Sequence, residues 1–243
     1  MPPRILAIGH RGAAAHMPEN TMPSFERALE LGADALEFDV AITRDGVPVV
    51  IHDDTLDRTT SGHGPVEHAL FDDLRDLDAG RWKGVPTHLP SLAEVLDAFA
   101  LRTLLNLEIK ASARRAELVD ACAQAVVERD ALGTVVFSSF DHDALRLLRH
   151  LLPAARIGVL SETAGLERAF SCAAEVGAEN LHPPVFLVTR PVVERAHAVK
   201  LEVWTWTVNQ PDTIQHTIAC GVDGIFSDFP ERVVAARTHA PIR

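Results

Sequence analysis

The sequence predicts an α/β fold, a (β/α)8 TIM barrel with a β-hairpin and a small insertion after strand 2. Three observations carry that prediction. Short apolar runs alternate with segments of helical periodicity along the whole 243-residue chain, the pattern of parallel βαβ units. One helix-to-strand joint recurs: Leu31-Gly32-Ala33-Asp34, Val176-Gly177-Ala178-Glu179 and Cys220-Gly221-Val222-Asp223 each close a helix and open a strand, with glycine where a left-handed cap is needed. The polar residues that interrupt the strands gather at their carboxyl ends, the face on which such barrels act.

The strands are expected at Ile5–Arg11, Ala35–Ile42, Val47–Asp53, Leu104–Lys110, Val135–Phe140, Arg156–Leu160, Glu179–Pro183, Leu201–Val208 and Gly224–Asp228. Helices fill most of the gaps, among them Ser24–Leu31, Leu92–Ala100, Arg114–Arg129 and Asp141–Leu151. Nine strands are one too many for the barrel. Only Thr43-Arg44-Asp45-Gly46 separates the second from the third, which is turn chemistry and far too short for a parallel crossover. The third strand therefore folds back antiparallel on the second, which brings His52 beside Glu37 and Asp39. The stretch from Asp54 to Pro90 breaks the rhythm and is rich in Asp, Gly, Thr and Pro. It reads as an insertion over the catalytic rim, too poor in apolar residues for a core of its own, so residues 1–243 are expected to form one barrel domain.

Composition narrows the function. Apolar residues make up 47% and charged residues 23%, which is ordinary for a globular protein. No run approaches the roughly 20 apolar residues of a membrane span. An apolar strand begins by Ile5, leaving no room for an export signal, so a cytoplasmic location is expected. Cys122, Cys172 and Cys220 are odd in number and far apart, the pattern of packed thiols rather than of a disulfide framework or a structural zinc site. The formal net charge of −11 offers no footprint for nucleic acid or for an anionic membrane. An anionic small molecule can still bind, given a local group of cations or a metal.

Such a group is present. Strand one ends in His10-Arg11-Gly12, strand two carries Glu37-Phe38-Asp39, the hairpin arm ends in His52-Asp53, and the next strand ends in Glu108-Ile109-Lys110. Period two puts Glu37 and Asp39 on one face of their strand, opposite Leu36 and Phe38. Carboxylates inside an apolar strand are costly unless they are paired or bind a cation. Glu37, Asp39 and Glu108 either converge on a hard divalent ion or form ion pairs with Arg11 and Lys110. Oxygen-only ligands suit Mg²⁺, Ca²⁺ or Mn²⁺ better than zinc. Arg11 and Lys110 are fit to hold a phosphate, and His10 and His52 are candidates for general acid and base because histidine is the side chain type suited to both roles.

Other features are less specific. Asn20 or Thr21 in Pro18-Glu19-Asn20-Thr21 is a candidate helix N-cap. Trp204 and Trp206 alternate and share a face, which is either core or site lining, with Trp206 the candidate for substrate contact. Ser138-Ser139 and Ser227 end strands, where a hydroxyl can simply cap the next helix.

Taken in order, His10-Arg11-Gly12, Pro18-Glu19-Asn20-Thr21, Glu37-x-Asp39, Thr43-Arg44-Asp45-Gly46, His52-Asp53, Leu107-Glu108-Ile109-Lys110, Trp206-Thr207-Val208-Asn209 and Ser227-Asp228-Phe229-Pro230 resemble the glycerophosphodiester phosphodiesterase family across nearly the whole chain. Ser227 stands where many relatives have threonine. The resemblance implies metal ligation by Glu37, Asp39 and Glu108, acid–base roles for His10 and His52, and phosphate contacts from Arg11 and Lys110. It implies hydrolysis of a small glycerophosphodiester to glycerol 3-phosphate and an alcohol. Three other functions fit the residues less well. A phospholipase acting on lysophospholipids needs an apolar approach surface that the sequence does not supply. A silent phosphate-binding barrel has no need of two histidines, and a sugar isomerase leaves Arg11 beside His10 unexplained. Nothing in the sequence sets an oligomeric state.

Overall fold

Eight parallel strands close on themselves. The structure, a computed structural model, describes residues 5–162 and 164–238. The chain opens with β1 (Leu6–Gly9), α1 (Met22–Glu30), β2 (Ala35–Ile42) and β3 (Pro48–Val50). After the short helix α2 (Phe71–Arg75) come α3 (Leu92–Phe99), β4 (Leu104–Ile109), α4 (Arg115–Glu128), β5 (Val135–Ser139) and α5 (His142–Leu151). It continues through β6 (Arg156–Leu160), α6 (Leu166–Val176), β7 (Asn180–His182), α7 (Arg190–Ala198) and β8 (Glu202–Thr205). The last elements are α8 (Pro211–Cys220), β9 (Gly224–Ser227) and α9 (Pro230–Thr238). The sheet runs β1-β9-β8-β7-β6-β5-β4-β2, and pairing of β1 with β2 closes the ring. Among the described residues no helix is long and apolar enough to cross a membrane.

The hairpin forms as expected. β3 lies antiparallel on β2, with Val50 opposite Val40 and Pro48 opposite Ile42. It is shorter than the predicted run: Ile51 still donates to the Asp39 carbonyl at 3.0 Å, but His52 and Asp53 turn away from the ladder. Gly32, Gly177 and Gly221, the repeated joints, all take positive φ, at 87°, 59° and 95°.

Period two on β2 splits the molecule into two layers. Leu36, Phe38 and Val40 face outward into the main core under the helices, where Phe25 packs edge-on against Phe38 and Phe99 at 5.8 and 5.7 Å. Inside the ring Ile8, Ala35, Val136, Trp204 and Phe226 form a separate apolar plug. Replacing a buried ring such as Phe25 by alanine costs about 3–5 kcal/mol. The three cysteines are buried free thiols on α4, α6 and α8.

Residues 54–90 have more core than their composition suggests. Leu56, Val66, Leu74, Ala79 and Leu89 bury themselves together, with Val49 and Ile51 of the hairpin arm completing the cluster. A handful of scattered aliphatic side chains suffices because β3 supplies one wall.

Candidate active site

The loop after β1 is shaped before it is functional. Gly12 has φ of 83°, and a Cβ there would lie 2.4 Å from Ser24 Oγ, so only glycine lets the loop press on the start of α1. Arg11 and Asn20 take left-handed φ of 52° and 57°, a strain that persists only where surrounding contacts over-determine it. Those contacts are visible: the Arg11 carbonyl accepts from Ser24 Oγ at 2.9 Å and from Asn20 N at 3.1 Å.

Of the two N-cap candidates, Thr21 takes the position but not the side-chain bond. Thr21 is the cap residue of α1, but its hydroxyl donates to the Pro18 carbonyl and caps nothing. Pro23 in the first turn lets the helix begin at Met22, two residues before the predicted Ser24. Asn20 is committed elsewhere: its amide donates to Asp39 Oδ2 at 2.9 Å.

Glu37, Asp39 and Glu108 do converge. In register, Glu37 is beside Asn106 and Asp39 beside Glu108, and the three carboxylates each offer an oxygen within 4.8 Å of the others. Burial, and then the charges of Asp39 and Glu108, push the Glu37 carboxyl well above its ordinary range. Burial and Asp39 push Glu108 up to about 7. Burial also raises Asp39, but Arg11, Lys110 and His52 outweigh it, and the Asn20 amide adds to them, so this carboxyl lies below the usual range. The ion pairs expected as the alternative exist as well: Arg11 Nε lies 3.3 Å from Asp39 Oδ2, and Lys110 Nζ lies 3.6 Å from Asp39 Oδ1 and 3.3 Å from Glu108 Oε1. The two cations do not cancel the cluster, since two of its three carboxyls remain displaced upward.

Both histidines are tethered through Nδ1. His10 Nδ1 is 2.6 Å from Asp228 Oδ1, and His52 Nδ1 is 2.7 Å from Asp53 Oδ1. A carboxylate can only accept, so each Nδ1 carries the proton and each Nε2 is left as the working nitrogen. His10 Nε2 is 4.0 Å from Glu37 Oε2. Burial holds His52 below the ordinary imidazole range, with Arg11 and Lys110 adding to it and Asp39 and Asp53 offsetting it in part.

Seven of the eight predicted site residues, His10, Arg11, Glu37, Asp39, His52, Glu108 and Trp206, line one cleft of about 520 Å³. Lys110 lines a neighbouring groove, with its ammonium on Asp39 and Glu108 at the cleft. The tryptophan pair divides. Trp204 is fully buried in the plug, whereas Trp206 donates Nε1 to the His182 carbonyl at 2.9 Å and meets Phe140 edge-on at 5.4 Å in the cleft wall.

Several participants carry no role in the sequence reading. Asp228 is fixed by Asn209, whose amide donates to Oδ2 at 2.6 Å and whose Oδ1 accepts from the Asp228 amide at 2.9 Å. Ser227 Oγ donates to the same Oδ1 and accepts from Phe229 N, so it does cap the turn as expected. Asn106 and Ser138 meet on the cleft floor, amide to hydroxyl at 2.9 Å. Asn106 and Asp228 continue the inward period of Glu108 and Phe226, which was the available signal.

Comparison with known proteins agrees with this geometry. Residues 10–232 match the model of the glycerophosphoryl diester phosphodiesterase family. A glycerophosphodiester phosphodiesterase of Caldanaerobacter subterraneus subsp. tengcongensis is 36% identical over 236 residues, covering 95% of this chain and 97% of the relative. A crystal structure from Silicibacter pomeroyi superposes with a TM-score of 0.90 at 32% identity, over 98% of this chain and 94% of the other. An Oleispira antarctica phosphodiesterase, solved with the product sn-glycerol-3-phosphate, gives 0.84 at 30% identity over 96% of each chain. By its matched length, its barrel and the relatives it resembles, the chain belongs to the glycerophosphoryl diester phosphodiesterase family.

Proposed function

We propose that this protein hydrolyses glycerophosphodiesters to glycerol 3-phosphate and an alcohol, with a divalent cation held by Glu37, Asp39 and Glu108. The observation that carries the reading is the pairing of that carboxylate cluster with two histidines whose Nε2 atoms are left free in the same cleft. The names of the relatives and the product bound by the Oleispira phosphodiesterase support it.

The donor set fits a hard cation. Three crowded carboxyls, two of them pushed above their ordinary range, are relieved by positive charge, and oxygen-only donors suit Mg²⁺, Ca²⁺ or Mn²⁺. When bound, such an ion supplies Lewis-acid stabilisation of charge on phosphate oxygens. Arg11 and Lys110, fixed by the same carboxylates, orient the phosphate and hold its negative charge. Trp206 and Phe140 cover the carbon skeleton. One histidine, neutral, takes the nucleophile's proton at Nε2; the other enters protonated on both nitrogens and gives its Nε2 proton to the departing alkoxide, while Asp228 and Asp53 hold the Nδ1–H of each ring. Residues 54–90 follow His52 directly, and in this reading they shape access for the leaving alcohol.

The test is release of glycerol 3-phosphate from a panel of glycerophosphodiesters after exhaustive chelation and readdition of single divalent ions. Release that depends on added ion is expected. No release from any member overturns the activity, and undiminished release in chelator overturns the metal.

A further inference from the structure

Arg58 belongs to the 54–90 segment and lies outside the cleft, with its side chain 47% exposed. It makes four hydrogen bonds. Nε and Nη2 donate to Asp53 at 2.6 and 2.9 Å, while Nη1 and Nη2 donate to Glu19 at 2.8 Å each. Those two carboxylates lead inward in different directions. Asp53 accepts from His52 Nδ1, and Glu19 accepts from Arg11 Nη1 at 2.7 Å. Charges thus alternate along one continuous line from Asp39 through Arg11, Glu19 and Arg58 to Asp53, which holds His52 Nδ1.

We propose that Arg58 is a positioning residue: a two-edged clamp that sets His52 and Arg11 relative to each other from outside the cleft. The clamp rests on the reading of the cleft as the active site. Glu19 comes from the loop after β1 and Asp53 from the end of the hairpin arm, so no shared element fixes their separation. The planar fork of a guanidinium does so, offering one edge to each carboxylate in a fixed geometry that a lysine ammonium cannot reproduce. Without it Glu19 and Asp53 face each other as like charges, and each is free to follow its own loop. Their pull on the groups behind them is strong, since the two arginines hold Glu19 below its ordinary range despite burial, and Arg58 does the same for Asp53.

An ion pair this exposed contributes little to stability as such. A purely structural Arg58 therefore predicts a variant that differs slightly in stability and not at all in rate. A clamp predicts the opposite, because a displacement near 1 Å in a reacting group costs on the order of 100-fold in rate.

The experiment compares Arg58→Met, Arg58→Lys and Arg58→Ala with wild type on a glycerophosphodiester, alongside thermal unfolding. The clamp requires kcat to fall about 10–100-fold in Arg58→Met with KM and Tm little changed. It also requires Arg58→Lys to remain impaired and added guanidinium to restore part of the rate to Arg58→Ala. An activity-independent arm uses side-chain ¹⁵N spectra, with His52 assigned by its loss in His52→Ala. His52 is expected to hold the Nδ1–H tautomer in wild type and to exchange between tautomers in Arg58→Met. A rate within two-fold of wild type together with an unchanged His52 spectrum overturns the clamp. If wild type itself cleaves no glycerophosphodiester, the proposed reaction fails while the spectra still decide the clamp.

Discussion

Asp228 Oδ1 sits 2.6 Å from His10 Nδ1, although the two residues are 218 positions apart in the chain. The contact exists because β1 and β9 are neighbours, with Gly9 opposite Ser227. Asp228→Asn keeps the size and offers an amide NH₂ where the carboxylate accepted, which favours the opposite His10 tautomer. The expected result is a fall in kcat of about 10²–10⁴-fold with an unchanged fold by circular dichroism. A variant within a few-fold of wild type would show that His10 does not depend on its tautomer.

His10→Ala and His52→Ala are each expected to lower kcat by about 10²–10⁴-fold. His16, which lies only six positions after His10, instead contacts Glu231 at 3.0 Å and the edge of Phe229. His16→Ala should keep nearly all activity. Steady-state kinetics on the three variants side by side separates the pair from its neighbour, and an active His52→Ala enzyme would remove His52 from the chemistry.

The carboxylate cluster stores repulsion that the proposed cation would release. In chelator, Glu108→Gln removes one of three crowded acids and is expected to raise Tm at pH 8, by about 2–4 °C for each kcal/mol relieved. In millimolar Mg²⁺, Mn²⁺ or Ca²⁺ the order should reverse, with wild type gaining and Glu108→Gln gaining little. Differential scanning calorimetry in both conditions is the check, and equal gains for the two proteins would place the cation elsewhere.

His182 gives a pH signature of its own. The ring is fully buried, stacked on Trp204 at 5.3 Å, and burial alone lowers its pKa to about 3. Its folded value therefore lies below the ordinary 6.5 of the unfolded chain. As pH falls below about 6.5 the unfolded state takes a proton that the native state refuses, so stability is lost down to about pH 3, at about 1.4 kcal/mol per unit. Between pH 7 and pH 5 wild type should lose about 2 kcal/mol more than His182→Gln in urea unfolding. Parallel losses would mean that His182 is protonated in the native state.

The identity of the nucleophile is open to a simple substitution in the substrate. A glycerophosphodiester carries a hydroxyl next to the esterified carbon, and its attack on phosphorus gains a large effective concentration over water. We expect that route, with a cyclic phosphate opened afterwards by water. A deoxy analogue lacking this hydroxyl should bind as a competitive inhibitor and be cleaved at least 100-fold more slowly, an estimate on the order set by effective molarity. Comparable turnover of the analogue would establish direct attack by water.

Legibility in the sequence followed the range of the interactions. Glu37 and Asp39 were readable because a strand's period of two is local, and the antiparallel β3 was readable because Thr43–Gly46 admits nothing but a turn. The hydrogen-bonding roles of Asp228 and Asn209 were not, since no local rule says that the end of β9 faces the end of β1. The role of Asn20 is hidden for a related reason: a short polar side chain before a helix has a local use by default, and only the fold reveals Asp39 within its reach. Arg58 passed unnoticed among the charged residues of an irregular stretch, because its two partners lie in different loops.

The seam between β1 and β9 also orders events in time. Glu37, Asp39 and Glu108 sit on β2 and β4, adjacent strands that pair once the hairpin, residues 54–90 and α3 are in place. The His10–Asp228 contact must wait for the ring to close over nearly the full length of the chain, a far longer loop than the one that joins β2 to β4. If the cluster holds the proposed cation, affinity for it should therefore return before turnover does during refolding, with an interval in which the protein can capture the ion and cannot yet use it.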